Sequence, residues 1–206
     1  MYRSAVAFVA VAVPATLTLA APVPTHLMPP PFFHLPTAVG DEWMYHHSAA
    51  ASDGRDTTAR VARVEVTDRG RVVTVEAEEG NGERVPFEKV LLIEHGQFLS
   101  ERGGSAFDPP VCDLKLPPRP GAEWEATSVF CGAKFRFKFK VLEPEWVRTQ
   151  AGRFRAVPVI EDMRCVGGGA EMWPTTRWFA PGVRCVKAIT DGGVNDFLRS
   201  FGPNKK

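Results

Sequence analysis

A chain of 206 residues, 44% hydrophobic and 24% charged, lies in the range of an ordinary globular domain and is long enough to bury a core. Lysine and arginine number 25 against 24 aspartates and glutamates, a formal charge of +1, so no overall field draws the protein to nucleic acid. Its 14 phenylalanines, 18 prolines and 18 glycines favour short, half-buried strands joined by turns over long helices.

The chain opens with one charge at Arg3, and Ala5 to Ala21 then carries none. This is the pattern of a secretory signal, with Thr18-Leu19-Ala20 placing the cut before Ala21. Residues 1–20 therefore read as a signal peptide, and the protein as exported, periplasmic or extracellular. An uncleaved anchor is the alternative, but an apolar stretch of about 17 residues is short for a bilayer span and this one contains Pro14. No cysteine stands near the cut, so no lipid anchor is expected there, and once the signal is removed no segment is apolar enough to cross a membrane. Residues 21–38 hold six prolines between Pro22 and Pro36 and read as an extended spacer. His26 and His34 fall in it as solvated side chains. Residues 39–202 read as a single β-rich domain, and 203–206 as a basic tail.

From Val39 onward, turn signals recur every eight to twelve residues or so, the spacing of an antiparallel meander. Ala62, Val64 and Val66 alternate with Arg63, Glu65 and Thr67 before a turn at Asp68–Gly70. Val73, Val75 and Ala77 then alternate with Thr74, Glu76 and Glu78 before Gly80-Asn81-Gly82. Lys89–Glu94 and Phe98-Leu99 continue the pattern, and Pro120-Gly121 and Pro181-Gly182 mark later turns. The fold class is all-β, an antiparallel meander with at most one short helix.

The stretch KFRFKFK, Lys134 to Lys140, fits this scheme. On a strand, Phe135, Phe137 and Phe139 face one side while Lys134, Arg136, Lys138 and Lys140 face the other. Burying each phenylalanine is worth about 1.5–3 kcal/mol, which accounts for the pattern without a ligand. The basic row needs only water, or acidic neighbours such as Glu76 and Glu78. Its alternative use is as a surface for an anionic partner, a lipid headgroup or an acidic wall polymer. Single-stranded nucleic acid is excluded, because stacking requires aromatics exposed beside the cations.

Four cysteines, Cys112, Cys131, Cys165 and Cys185, in an exported chain favour disulfides, with about three connectivities open. The sequential pairs Cys112–Cys131 and Cys165–Cys185 are the first choice, since each clips a local excursion. Against the second stands the turn geometry: tight hairpins at Gly167–Gly169 and Pro181-Gly182 set Cys165 opposite Met172 and Cys185 opposite Trp178. At about 3.3 Å per residue these are too far apart for a bridge. No C-x-x-C is present, which argues against redox and zinc motifs.

Catalytic signatures are missing too: no G-x-S-x-G, no H-E-x-x-H, no S-x-x-K, and GNGERV at Gly80 breaks the dinucleotide pattern. His46 and His47 are adjacent, so on a regular strand they point apart and cannot chelate one metal. The same alternation separates Asp41 from Glu42 and Glu161 from Asp162, and His95 at a turn takes no role as acid or base. The chain is expected to be no enzyme and to need no cofactor or metal. A hydrolase built from carboxylates that meet from distant strands is the residual reading.

Three stretches carry a family resemblance. LPTAVGDEWMY (Leu35 to Tyr45) is similar to the G-x-x-W-x-Y entry motif of a group of uncharacterised exported bacterial proteins, AGRFRAVPV (Ala151 to Val159) resembles the group's A-G-x-F-x-A segment, and RWFAPGVRCVK (Arg177 to Lys187) resembles its W-F-A-P-G-V-G-x-V-K signature. LKLPPRPGAEWE (Leu114 to Glu125) and the tail FLRSFGPNKK fit the group's middle and closing strand. Arg184 stands where the signature has its second glycine, and Pro158 interrupts a strand. The resemblance is to the domain-of-unknown-function and TapB-like groups and implies a strongly curved antiparallel sheet or half-open barrel shaped like the carriers LolA and LolB, with no catalytic residues to carry over. In such a sheet Trp43, Tyr45, Phe137, Trp178 and Phe179 are the candidate ligand-binding residues, and Trp124 and Phe154 can line or plug the same side. The expected function is a non-catalytic envelope module that binds a lipid or other amphipathic ligand. The alternative is a structural protein with a self-filled core that contacts another envelope component through its basic row.

Overall fold

Period-two alternation becomes a barrel here because almost every strand finds an antiparallel neighbour on both edges. The computed structural model describes residues 35–203 apart from 50–51, 79–81, 169–172 and 194. The chain forms two units, Met1–Pro30 and Pro31–Lys206, and the described residues belong to the second. The expected signal peptide, His26, His34 and residues 204–206 lie outside them. Among the described residues there are thirteen strands and no helix: β1 (Asp41–Ala49), β2 (Ser52–Thr67), β3 (Gly70–Glu78), β4 (Arg84–Ile93), β5 (Gly96–Arg102), β6 (Ser105–Lys115), β7 (Glu123–Phe130), β8 (Ala133–Val141), β9 (Glu145–Thr149), β10 (Gly152–Cys165), β11 (Thr175–Ala180), β12 (Arg184–Thr190) and β13 (Asn195–Pro203).

β1 to β8 run as a meander, β8 passes to β10, and β10 to β13 return to β1, so twelve strands close into a barrel with β9 as an extra strand on β10. The all-β, curved antiparallel class expected from the sequence is what forms. The sheet goes further than half-open, because β10 pairs with both β8 and β11. Closure removes the exposed edges that an open sheet would leave. Curvature comes with bulges, where one extra residue bends a strand: between Val61 and Arg63, Lys89 and Val90, and Trp178 and Phe179 among others.

The first of these bulges changes the phase of β2. Ala59 and Val61 are buried before it. After the extra residue at Ala62, Val64, opposite the buried Val73, takes up the inner face and is partly buried, while Val66, next to the strand end and opposite Arg71, is 82% exposed. Of the expected row Ala62–Val64–Val66 only Val64 packs on the core. In β3, where the extra residues belong to the neighbouring strands, Val73, Val75 and Ala77 are buried as the alternation predicts. The core begins earlier than the spacer boundary suggests, since the Leu35 side chain is 1% exposed within it.

The KFRFKFK stretch is β8, with Phe137 and Phe139 buried and all four basic residues exposed. Phe139 stacks on Trp124 with ring centres 5.0 Å apart, and Phe107 stacks on Phe130 at 4.3 Å. These rings fill much of the barrel. The acidic neighbours of the basic row are on β7: Lys138 pairs with Glu125 at 3.1 Å and Lys140 with Glu123 at 2.8 Å. Glu76 and Glu78, expected in that role, pair instead with Arg60 and Arg84.

One join in the wall is thin. β6 and β7 share a single backbone pairing, Asp108 with Val129, beside Pro109 and Pro110, which have no N–H to donate. Side chains replace the missing ladder: Ser128 Oγ donates to the Pro109 carbonyl at 2.7 Å and Trp124 Nε1 to the Cys112 carbonyl at 2.9 Å.

All four cysteines are free thiols, so the expected disulfides are not formed. Register explains why the preferred pairs fail. Asp108 opposite Val129 leaves Cys112 about 20 Å along the strands from Cys131. Cys185 pairs with Phe179, which pairs with Val157, eight residues and about 26 Å from Cys165. A bridge needs Cα atoms within about 7 Å.

Candidate functional site

Alternation explains where a strongly polar region of the barrel lies. Glu88 is in phase with the buried Val90 and Leu92, Gln97 with Leu99, Asp113 with Val111, and Arg177 with Phe179. Each therefore points inward, where an apolar side chain would be the ordinary choice. Together with Trp43, Tyr45, Phe87, Arg102, Phe179, Arg184 and Cys185, three of these four, Glu88, Asp113 and Arg177, line a cavity of about 260 Å³.

The cavity grades from a wetter rim to a dry floor. Phe87 is 38% exposed, whereas Glu88, Asp113 and Arg184 are buried. Glu88 is held by two guanidiniums: Arg184 pairs with it directly, and Arg102 Nε donates to its Oε1 at 3.2 Å. Burial works to raise the Glu88 carboxyl, but Arg184 and Arg102 outweigh it and keep the group below its ordinary pKa. For Arg184, burial opposes the charge, while Glu88 and Asp113 overcome that opposition and raise its pKa. Arg177, ion-paired with Glu161, is brought down to about 10 by burial and by Arg102 nearby.

Asp113 is the less settled carboxylate. Burial pushes it up to about 6 against the pull of Arg184. Gln97 Nε2 donates to its Oδ2 at 3.3 Å, while Asp113 Oδ1 and Gln97 Oε1 are buried without a hydrogen-bond partner among the described residues. Asp113, with its dry acceptor, and the guanidiniums of Arg102, Arg177 and Arg184 line the cavity together, a surface that can both donate to and accept from a small polar group. Arg184 adds backbone tension. Its φ is +80°, a left-handed conformation that a residue with a side chain rarely adopts and that costs on the order of 1–3 kcal/mol.

Nucleophiles are not prepared. The Cys185 thiol is pushed up to about 11 by burial, and Tyr45, whose hydroxyl donates to the Cys185 carbonyl at 2.7 Å, is raised by burial as well. His46 and His47 separate as their adjacency requires, bonding to Asp56 at 2.8 Å and Asp196 at 2.6 Å.

Of the candidate ligand residues, Trp43, Tyr45 and Phe179 line the cavity. Phe137 lies in the aromatic core, stacked with Phe139 at 6.2 Å. Trp178 alternates with Phe179 and so faces away, where Nε1 donates to Glu145 at 2.5 Å and Lys187 Nζ sits 4.4 Å from the ring centre. The basic row of Lys134, Arg136, Lys138 and Lys140 is on the outer wall, apart from the cavity. Sequence reasoning did not find Glu88, Arg102, Asp113 or Arg177. The available signal was a charged residue in phase with a hydrophobic row.

No family model matches the sequence, and no curated protein matches it. Solved structures do resemble it in fold. A predicted lipoprotein from Parabacteroides distasonis aligns with a TM-score of 0.53 at 15% identity, over 83% of this chain and 99% of that one. A predicted exported protein with a YmcC-like fold from Bacteroides fragilis aligns at 0.50 and 14%, with the same shares. At such identities the likeness is one of fold. The closed antiparallel barrel thus has precedent, while the TapB-like assignment rests on the sequence motifs alone.

Proposed function

We propose that this chain is an exported, non-catalytic binding protein that holds a small amphipathic ligand in the Glu88–Asp113–Arg184 cavity. The observation that carries the reading is the buried charge. A matched apolar set would be as stable or more stable by about 1–4 kcal/mol, so folding alone gives no reason to keep Glu88, Asp113, Arg177 and Arg184 inside a barrel of valines and phenylalanines. Arg102 and Arg177 would take the anionic end of the ligand, Asp113 would accept a donor from it, and Trp43, Phe87 and Phe179 would cover its apolar part. The size of the cavity suits a headgroup or a small molecule, since the aromatic stack occupies the space a long acyl chain would need. The predicted signal at residues 1–20 and the exported character given for the fold's relatives support export.

Catalysis is the weaker reading. Glu88 is tied to two arginines, and the cavity offers no activated nucleophile. A structural role has one observation in its favour, the self-filled aromatic core.

Native mass spectrometry of protein purified from its own envelope, before and after organic extraction, tests the proposal. A reproducible adduct that extraction removes, and that is lost in Arg102→Ala and Arg177→Ala, is expected. A bare mass, with no uptake of added amphipathic anions, would leave the structural role in front.

A further inference from the structure

The β9–β10 hairpin carries a second surface, unrelated to the cavity. β9 lies outside the closed barrel and pairs with Gly152–Ala156 of β10, so one of its edges has no strand beside it among the described residues. One face of this hairpin is seated: Val147 is buried in the core cluster and its cross-strand partner Phe154 packs against it. The other face carries the pairs Trp146–Arg155 and Arg148–Arg153, all four side chains exposed. Trp146 is 57% exposed, with the Arg153 guanidinium 4.4 Å from its ring centre.

This face is costly as it stands. Arginines directly opposite one another on adjacent strands repel, and Arg148, Arg153 and Arg155 make no ion pair among the described residues. Glu145 is already engaged with the Trp178 indole, and Glu143 lies before the strand. In a chain whose formal charge is only +1, three unpaired guanidiniums around an exposed indole are a local concentration of charge with a flat apolar centre. By contrast, Lys138 and Lys140 on β8 are balanced by glutamates.

We propose that the outer face of the β9–β10 hairpin docks the protein on an anionic phospholipid surface. Indoles settle at headgroup depth, and clustered basic residues are drawn to anionic leaflets. The planar face can bring Trp146 and the three guanidiniums to one surface together.

The test uses the full chain, so that any contribution of its apolar N-terminus is common to all variants. Binding to mixed phosphatidylglycerol–phosphatidylcholine vesicles and to pure phosphatidylcholine vesicles is compared for the wild type, for R148E/R153E/R155E, and for the outer-row control K134E/R136E/K138E. Three cations at about 1 kcal/mol each correspond to roughly a hundredfold. A loss of about that size of the phosphatidylglycerol-dependent binding is expected for the hairpin variant, with the control close to wild type. The Arg→Lys triple variant should keep most of the affinity, which guards against a folding defect. Trp146→Phe should remove the vesicle-induced blue shift of tryptophan emission. Equal binding by wild type and hairpin variant overturns the proposal. So does hairpin-dependent binding to a soluble anionic polysaccharide with no preference for phosphatidylglycerol.

Discussion

Arg184 on β12 and Glu88 on β4 pair across the inside of the barrel, with β13, β1, β2 and β3 between them along the wall. Arg184 does so from a backbone φ of +80°. Two costs, a desolvated ion pair and a left-handed arginine, meet in one residue, and they can be separated by substitution.

Arg184→Ala should destabilise by about 3–5 kcal/mol, because it strands Glu88 in a dry site with Arg102 as its remaining partner. Arg184→Gly loses the same ion pair but accommodates the φ, so it should be the more stable of the two by about 1 kcal/mol. Replacing both partners, Glu88→Leu with Arg184→Met, should recover most of the loss. Urea unfolding of the four proteins decides. Equal stability of the alanine and glycine variants would mean that the backbone is not strained.

Asp113 sets a pH dependence. Its folded pKa of about 6 lies above the unfolded value, so the folded state binds the extra proton between about pH 4 and 6. Below that window the group is neutral in both states and costs nothing; as pH rises through 6 the folded state must carry a dry charge. The full penalty is on the order of 3 kcal/mol. Asp113→Asn, which is neutral throughout, should therefore match the wild type near pH 4 and exceed it by an amount that grows up to pH 7. Melting curves across this range check the sign as well as the size.

The thiols should react in order of their exposure. Cys131 is exposed at the β7–β8 turn, whereas burial pushes Cys185 up to about 11 and Cys112 up to about 12. A thiol reagent at neutral pH should label Cys131 quickly in the native protein, leave Cys112 and Cys185 slow, and reach all four without reductant once the chain is unfolded. Fewer than four in the unfolded, unreduced chain would reveal a bridge.

The two faces of β8 should respond oppositely. Phe137→Ala removes a fully packed ring and should cost about 3–5 kcal/mol. Lys134→Ser and Arg136→Ser, on the exposed face, should leave the unfolding midpoint within error of the wild type.

This contrast also shows how far the sequence was legible. Residue type and parity settle β3 and β8, because the extra residues beside β3 lie on its neighbours β2 and β4, β8 pairs with β7 in steady register, and a valine or phenylalanine at every second place can face only one way. Parity fails across Ala62, where the bulge that carries the inner face from Val61 to Val64 is invisible in a pattern of period two, and it cannot tell that Val66 is exposed beside the strand end. It holds for Trp178 and Phe179, strand neighbours that face apart, so one lines the cavity and the other does not. The cavity was hidden for a different reason. Glu88, Asp113, Arg177 and Arg184 come from four strands, and their convergence depends on how the barrel closes, which no local stretch encodes. What each position did display was a charge on a buried row. The disulfide expectation followed from cysteine count and compartment, and neither contains the register that separates the thiols.

The pairing of β13 with both β12 and β1 has a bearing on when the barrel can seal. β1 is among the earliest barrel strands to be made and β13 is the last, so two edges stay unsealed until residues 195–203 have emerged. Most of the barrel can be synthesised while the wall still gapes, and a gaping sheet is far easier to hold as an extended thread than a finished cylinder. Timing of closure is thereby assigned to the far end of the barrel sequence.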